Sequence, residues 1–300
     1  MFPLGMWYNT YKKRYIIRNL IEHYNTLGVL RRNIWRHRSI VINIVLLYTI
    51  SVPLLSAVIC AKSAGNDTII RGFYTFEIQH EENFINISIR SILIASVFSS
   101  IFIFTCVIAL MCGILYYNMS DLFYLFCKDL KSLQDSVLSP RRLRKRVLDQ
   151  SVLFQVSHRL EEATSVNSGL FLCSQIVPMY VSLATFFLFG ANELTTAILW
   201  ANAPTALLAP FYVIGITLCA SRISSQIKNC NVCLQILHDR LIYDTLVKGE
   251  TLQLVKAMMN RRFTSMSACS VVNFTPNIIL SIFGSLLTYG LLILNFKQSY

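Results

Sequence analysis

The sequence predicts an all-α, multi-pass helical membrane protein, and three observations carry that prediction. Apolar residues make up 54% of the 300 and charged residues only 14%, against about 25% charged in a soluble domain. The mean hydropathy is +0.53. Five windows hold no charge at all: residues 39–60, 91–117, 169–190, 195–220 and 271–296, of 22, 27, 22, 26 and 26 residues. A helix rising 1.5 Å per residue crosses the hydrocarbon core in roughly 20 apolar residues, so each window is long enough. Strands of a membrane barrel are much shorter and alternate in polarity, which these windows do not.

Taken in order, residues 1–38 form a basic segment of one or two amphipathic helices. The opening Met1 to Tyr8 is too short for a secretory signal and its charges follow it, so the first span is expected to act as a signal anchor. The loop 61–90 between the first two spans carries two glycosylation sequons, at Asn66 and Asn86. Asn66 is the better acceptor, because Asn86 lies against the membrane. The connections 118–168 and 221–270 are poor in Gly and Pro and show helical spacing. Leu122, Phe126, Leu130, Leu133 and Val137 form one ladder, and Leu234, Leu237 and Leu241 begin another. Such stripes mark packed faces, so spans two to four are expected to continue out of the membrane as helices that pack together. Residues 191–194 form a short turn between spans three and four, and 297–300 a short tail. Pro53, Pro178, Pro204, Pro210 and Pro276 lie inside the windows and are expected to kink their helices.

The net charge of +12 is distributed by compartment. Eight Lys and Arg precede the first span, eight lie between spans two and three, and seven between spans four and five. The alternate compartments hold two, none and one, with Arg90 set apart at the lip of span two. This is the positive-inside pattern, with a cytosolic N-terminus and an extracellular C-terminus. The basic balance therefore reports topology and not a nucleic-acid partner. The run Arg141-Arg142-Leu143-Arg144-Lys145-Arg146 also has the composition of a contact for anionic membrane lipid.

Catalytic and metal chemistry find little support. The nine cysteines lie in spans or on the basic side, with Cys60 at the membrane edge, so an extracellular disulfide framework is not expected. Cys230-Asn231-Val232-Cys233 is a single CxxC pair with only His238 nearby, a weak metal signal. No HExxH, phosphate-binding glycine loop or dinucleotide fingerprint occurs. No span carries a carboxylate, the usual intramembrane group of an ion-coupled transporter. No enzyme activity, cofactor or metal is expected.

The last span is the most informative. With Asn277 at 0° and 100° per residue, Ser281, Gly284, Ser285, Thr288 and Asn295 fall at about 40°, −20°, 80°, 20° and 0°. Leu292 joins this stripe at about 60°, and Gly290 falls off it. The stripe fits two readings: a small-residue packing seam between membrane helices, or a pore face with an apolar closing ring at Leu292.

The residues at its end resemble a known signature. Thr288-Tyr289, five mostly apolar residues, then Asn295-Phe296 is similar to the C-terminal motif of insect gustatory receptors: Thr-Tyr, five residues, Gln-Phe. Here Asn295 stands for the Gln. The inside N-terminus, long helical inside connections and very short turn before the penultimate span agree with that family. The resemblance implies a ligand-gated, non-selective cation channel of four subunits, in the plasma membrane, whose last helix lines the pore. It implies permeating cations, a soluble small-molecule tastant and other receptor subunits as partners. The pore residues would be Ser281, Ser285, Thr288, Leu292 and Asn295, with Leu292 at the gate and Asn295 the motif amide. Aromatic or polar residues of the outer span halves, Tyr180, Phe187, Trp200 and Asn202, are the ligand-wall candidates. The five spans match the family's third to seventh. Gly290 stands where sugar-sensing members commonly carry Glu, which disfavours a sugar. The competing reading is a non-conducting membrane scaffold or assembly partner. A G-protein-coupled receptor would need the opposite orientation.

Overall fold

The computed structural model describes residues 2–28, 32–63, 84–134, 140–188, 194–243 and 249–298. The chain is an all-α, multi-pass membrane protein. Its elements are α1 (Phe2–Lys12), α2 (Arg14–Gly28), α3 (Arg32–Ser63), α4 (Phe84–Phe98), a π-helical turn (Ser99–Ile103), α5 (Phe104–Gln134), α6 (Pro140–Leu188), α7 (Thr196–Tyr243), α8 (Gly249–Asn260), a hairpin of β1 (Ser267–Ala268) and β2 (Val272–Asn273), and α9 (Pro276–Gln298). Five stretches are long and apolar enough to cross a membrane: Ser39–Ser63, Ile87–Leu133, Pro140–Leu188, Thr196–Tyr243 and Pro276–Lys297. Each overlaps one of the five charge-free windows, because hydropathy over some twenty residues is a local sum, and the middle three run on to 47, 49 and 48 residues.

Contacts between distant residues fix the directions. Cys60 Sγ meets the Ala197 carbonyl at 3.7 Å and Thr49 meets the Tyr212 hydroxyl, so α3 and α7 are antiparallel. Arg222 pairs with Asp121 at 3.3 Å and Cys127 meets Cys233 at 3.3 Å, so α5 and α7 run parallel. Tyr116 meets Thr164 and Ser168 and Thr105 meets Gln175 at 3.5 Å, so α5 and α6 are antiparallel. The five spans alternate in direction.

The expected helical extensions are present. α6 has 49 residues, about 74 Å of helix at 1.5 Å per residue, more than twice the roughly 30 Å of a hydrocarbon core. In the extensions, Leu122, Phe126, Leu130 and Leu133 of α5 and Leu234, Leu237 and Leu241 of α7 are all buried. Val137 lies outside the described residues, as does Asn66. The basic run near residue 144 lies roughly 35 Å along α6 from Gly169. Two of its arginines serve the bundle: Arg146 pairs with Asp129 at 2.8 Å and Asp149 at 3.0 Å, and Arg144 pairs with Glu250.

Three features differ from the sequence expectation. The segment 261–275 is not helical but carries the hairpin, and the last helix starts at Pro276 instead of 271. Pro276 therefore kinks nothing: it is the first residue of α9, where the missing N–H has no partner to lose. The π-helical turn interrupts span two without any proline.

Candidate functional site

The last helix shows two distinct faces. Ile282, Leu286, Gly290 and Ile293 are buried and fall at about 140° to 220° on the wheel that puts Asn277 at 0°. The polar stripe lies on the opposite side: Asn277, Ser281, Gly284, Ser285, Thr288 and Asn295 are exposed, as is Leu292 at 50%. A Cβ added at Gly284 would meet nothing within 4 Å. Apart from Ser285 at its edge, which Tyr180 of α6 reaches, the exposed stripe makes no extended seam against this chain's own described helices. It is left for a pore axis or for a second chain.

The seat of α9 is α6, with α7 beside it. Tyr180 donates from its hydroxyl to Ser285 Oγ at 2.6 Å, and its ring meets Tyr289 edge-on at 5.1 Å. Ser285 and Thr288 donate to the Ile282 and Gly284 carbonyls at 2.8 and 2.9 Å, which shields their hydroxyl protons within the helix. Lys297 Nζ donates to the Phe187 and Leu188 carbonyls at 3.2 and 3.3 Å, placing a cation on the orphan carbonyls that end α6. Gly290 is a point of close approach: a Cβ there would lie 2.8 Å from Phe187 Cε2. Its lack of a side chain has a packing reason.

Above that contact opens a cleft of ≈ 370 Å³ between α6, α7 and α9. Phe187 lines it together with Ser182, Phe186, Thr205, Phe283 and Leu291. Of the four ligand-wall candidates, only Phe187 lies on it. Tyr180 is engaged with α9, Trp200 packs against the core, and Asn202 Nδ2 donates to the Ile198 carbonyl of its own helix at 2.9 Å. Ser182 and Thr205 were not singled out from the sequence, since an isolated hydroxyl in an apolar window gives no signal.

Below the seat lies a polar hub that hydropathy also passes over. In α6, Ala163, Thr164, Ser165, Asn167, Ser168 and Gly169 are buried, so the helix is enclosed on several sides. Small side chains allow such close approach between helices. From α1, Asn9 Nδ2 donates to Asn167 Oδ1 at 2.8 Å, and Asn167 Nδ2 donates to Thr10 Oγ1 at 2.9 Å. From α5, the Tyr116 hydroxyl joins Thr164 at 3.0 Å and Ser168 at 2.9 Å. Thr164 gives its own proton to the Leu160 carbonyl. A single proton order satisfies this set, running from Ser168 to Tyr116, to Thr164, to the Leu160 carbonyl. Replacing Tyr116 with Phe interrupts that chain inside the packed region. The expected loss is about 1–2 kcal/mol, read as a lowered thermal midpoint of the purified protein. An unchanged midpoint would show that the hydroxyls are satisfied without Tyr116.

The hairpin docks on the same hub. Its turn closes with Val271 N donating to the Ala268 carbonyl at 3.0 Å, and its two central residues, Cys269 and Ser270, have φ of 53° and 58°. Left-handed conformations cost L-residues about 1–2 kcal/mol each, so external contacts must hold them. Cys269 N donates to the Ser165 carbonyl at 2.9 Å, Ser270 N donates to Ser165 Oγ at 2.9 Å, and Ser267 Oγ donates to Glu161 at 2.6 Å. Phe263 fits between Phe123 and Phe154, at 4.9 and 6.2 Å. The chain thus enters α9 from a pinned connector.

The CxxC pair lies in the extension of α7, where both Cys230 and Cys233 are buried. Burial of a thiol opposes the thiolate form that a metal requires. Among the described residues, no group of three or more His, Cys, Asp or Glu side chains is arranged to hold a metal. No protein-family model and no curated protein matches the chain.

Proposed function

We propose that this chain is a subunit of a chemosensory, ligand-gated, non-selective cation channel of the gustatory-receptor type. The observation that carries the reading is the division of α9 into a buried seat and an exposed polar stripe. Four copies around an axis would give those stripes one common lumen. Ser281, Ser285, Thr288 and Asn295 would line it, and four Leu292 side chains would close it by dewetting. The motif residues Thr288, Tyr289, Asn295 and Phe296 support the same assignment. The charge distribution supports a plasma-membrane orientation with the basic extensions in the cytosol and the C-terminus outside.

The competing reading is a non-conducting scaffold or assembly partner. It is favoured by the same exposed stripe, since small residues on a free helix face also form seams with a second membrane protein.

Whole-cell recording separates the two. The chain is expressed alone and beside a full-length receptor of the resembled family, with glycosylation at Asn66 reporting surface delivery. For a pore subunit, Leu292→Ala is expected to raise the unstimulated cation current several-fold, and Asn295→Ala to alter conductance or selectivity. Surface-delivered protein whose currents ignore both substitutions would leave the scaffold reading.

A further inference from the structure

We propose that the cleft between α6, α7 and α9 binds a small, mostly apolar molecule carrying a single hydrogen-bonding oxygen, such as an alkanol. The proposal names the ligand class for the channel reading above, and it rests on that reading only for the consequence on α9.

The walls set the character of the ligand. No residue lining the cleft is charged, and Phe186, Phe187 and Phe283 contribute aromatic surface among Leu, Met and Ala side chains. Its ≈ 370 Å³ is at the lower end of small-molecule pockets, roughly 300–1,000 Å³. A polyol would bring several hydroxyls to walls that offer few partners, and each unpaired one opposes binding.

Two hydroxyl residues, Ser182 and Thr205, interrupt the apolar lining, and the Ser182 hydroxyl is unused. Ser182 is 3% exposed, and its Oγ has no hydrogen-bond partner. Other hydroxyls of α6 are satisfied by their own helix: Ser157, Thr164, Ser174 and Thr185 each donate to a carbonyl three or four residues back. Ser182 does not. A buried hydroxyl with no partner costs about 1–3 kcal/mol, and an oxygen on an otherwise apolar guest would recover that cost. Thr205, 5% exposed, stands on the facing wall from α7.

The third wall is α9 itself, through Phe283, Leu286, Leu287, Gly290, Leu291 and Leu294. A guest in the cleft therefore touches the seat of the helix whose other face carries the polar stripe. Its occupancy and the position of α9 are coupled through direct contact.

Photolabelling of the purified full-length chain tests this without any current measurement. The probe is 3-azioctanol, a photoreactive alkanol, with adducts mapped by mass spectrometry. Adducts are expected on the cleft residues of α6, α7 and α9, and excess 1-octanol should suppress them while n-octane and sucrose do not. Ser182→Ala should weaken the 1-octanol competition about fivefold, the equivalent of one neutral hydrogen bond. Ala206→Phe, which fills the cleft from an exposed position, should abolish the adducts while leaving the Ser182 hydroxyl in place. Adducts spread evenly over the outer surface of the spans, or equal competition by n-octane, would overturn the proposal. Specific labelling in a chain that conducts nothing would uphold the cleft and remove the channel reading.

Discussion

Gly169→Ala is expected to unseat the hairpin that leads into α9, with a large loss of stability for a single added methyl group. A Cβ at residue 169 would lie 2.2 Å from Cys269 Sγ and 3.2 Å from the Cys269 Cβ and backbone nitrogen. The thiol can rotate away, but the backbone nitrogen cannot, because it is hydrogen-bonded to the Ser165 carbonyl. Overpacking of this kind costs about 1–3 kcal/mol. Losing the dock also releases two left-handed residues whose conformation is held from outside. The thermal midpoint should fall, and trypsin should cut faster after Arg261 and Arg262, which precede the hairpin. The double variant Gly169→Ala/Cys269→Gly should recover part of both effects, since it removes the Sγ and Cβ clashes and suits the left-handed turn. A Gly169→Ala protein as stable and as resistant as the wild type would show that the turn is not seated on α6.

Gly290→Leu should have an effect of similar size at the other end of α9. The helix is held to its own chain by few buried residues, namely Ile282, Leu286, Gly290 and Ile293. A side chain at residue 290 would enter the Phe187 ring, whose Cε2 is 2.8 Å from the added Cβ, with Leu183 Cδ2 at 3.4 Å. Ring and leucyl group cannot share that space, so the outer half of α9 must move away from α6. The Lys297 cap on the end of α6 would be lost with it. A loss of about 1–3 kcal/mol is expected, read as a lowered midpoint, with Gly290→Ala milder because it adds a single methyl group. Phe187→Ala combined with Gly290→Leu should restore the seat, as the leucine then fills the space the ring leaves. If the combined variant were worse than either single one, the contact between these two positions would not be the cause.

Both predictions concern glycines that sequence inspection values differently from the structure. In the sequence Gly290 stands off the polar stripe and departs from a motif position, yet in the structure it packs closely on Phe187 of α6. Gly169 marked the edge of a hydropathy window, yet it is the floor of a docking site. The run Ala163-Thr164-Ser165-Val166-Asn167-Ser168-Gly169 did carry a signal, being nearly free of bulky side chains within a long helix. Hydropathy averages such a run into the surrounding loop. The polar stripe of α9 was legible in full, because a helix wheel needs only the positions within one helix. Whether that stripe faced the chain or turned away from it was not legible, and the seat of Ile282, Leu286, Gly290 and Ile293 decided it.

The sequence by itself determined the all-α class, the number of spans, their approximate limits and the helical extensions beyond the membrane. These follow from transfer free energy and charge, which accumulate residue by residue along the chain and need no knowledge of neighbours in space. Only the tertiary structure decided the start of α9 at Pro276, the hub around Thr164 and Asn167, the pinned turn at Cys269 and Ser270, and the cleft holding Ser182. Each of these depends on residues far apart in the chain arriving within a few ångströms of one another. Such short-range contacts contribute nothing to a sum taken along the chain, and they appear only once the helices pack.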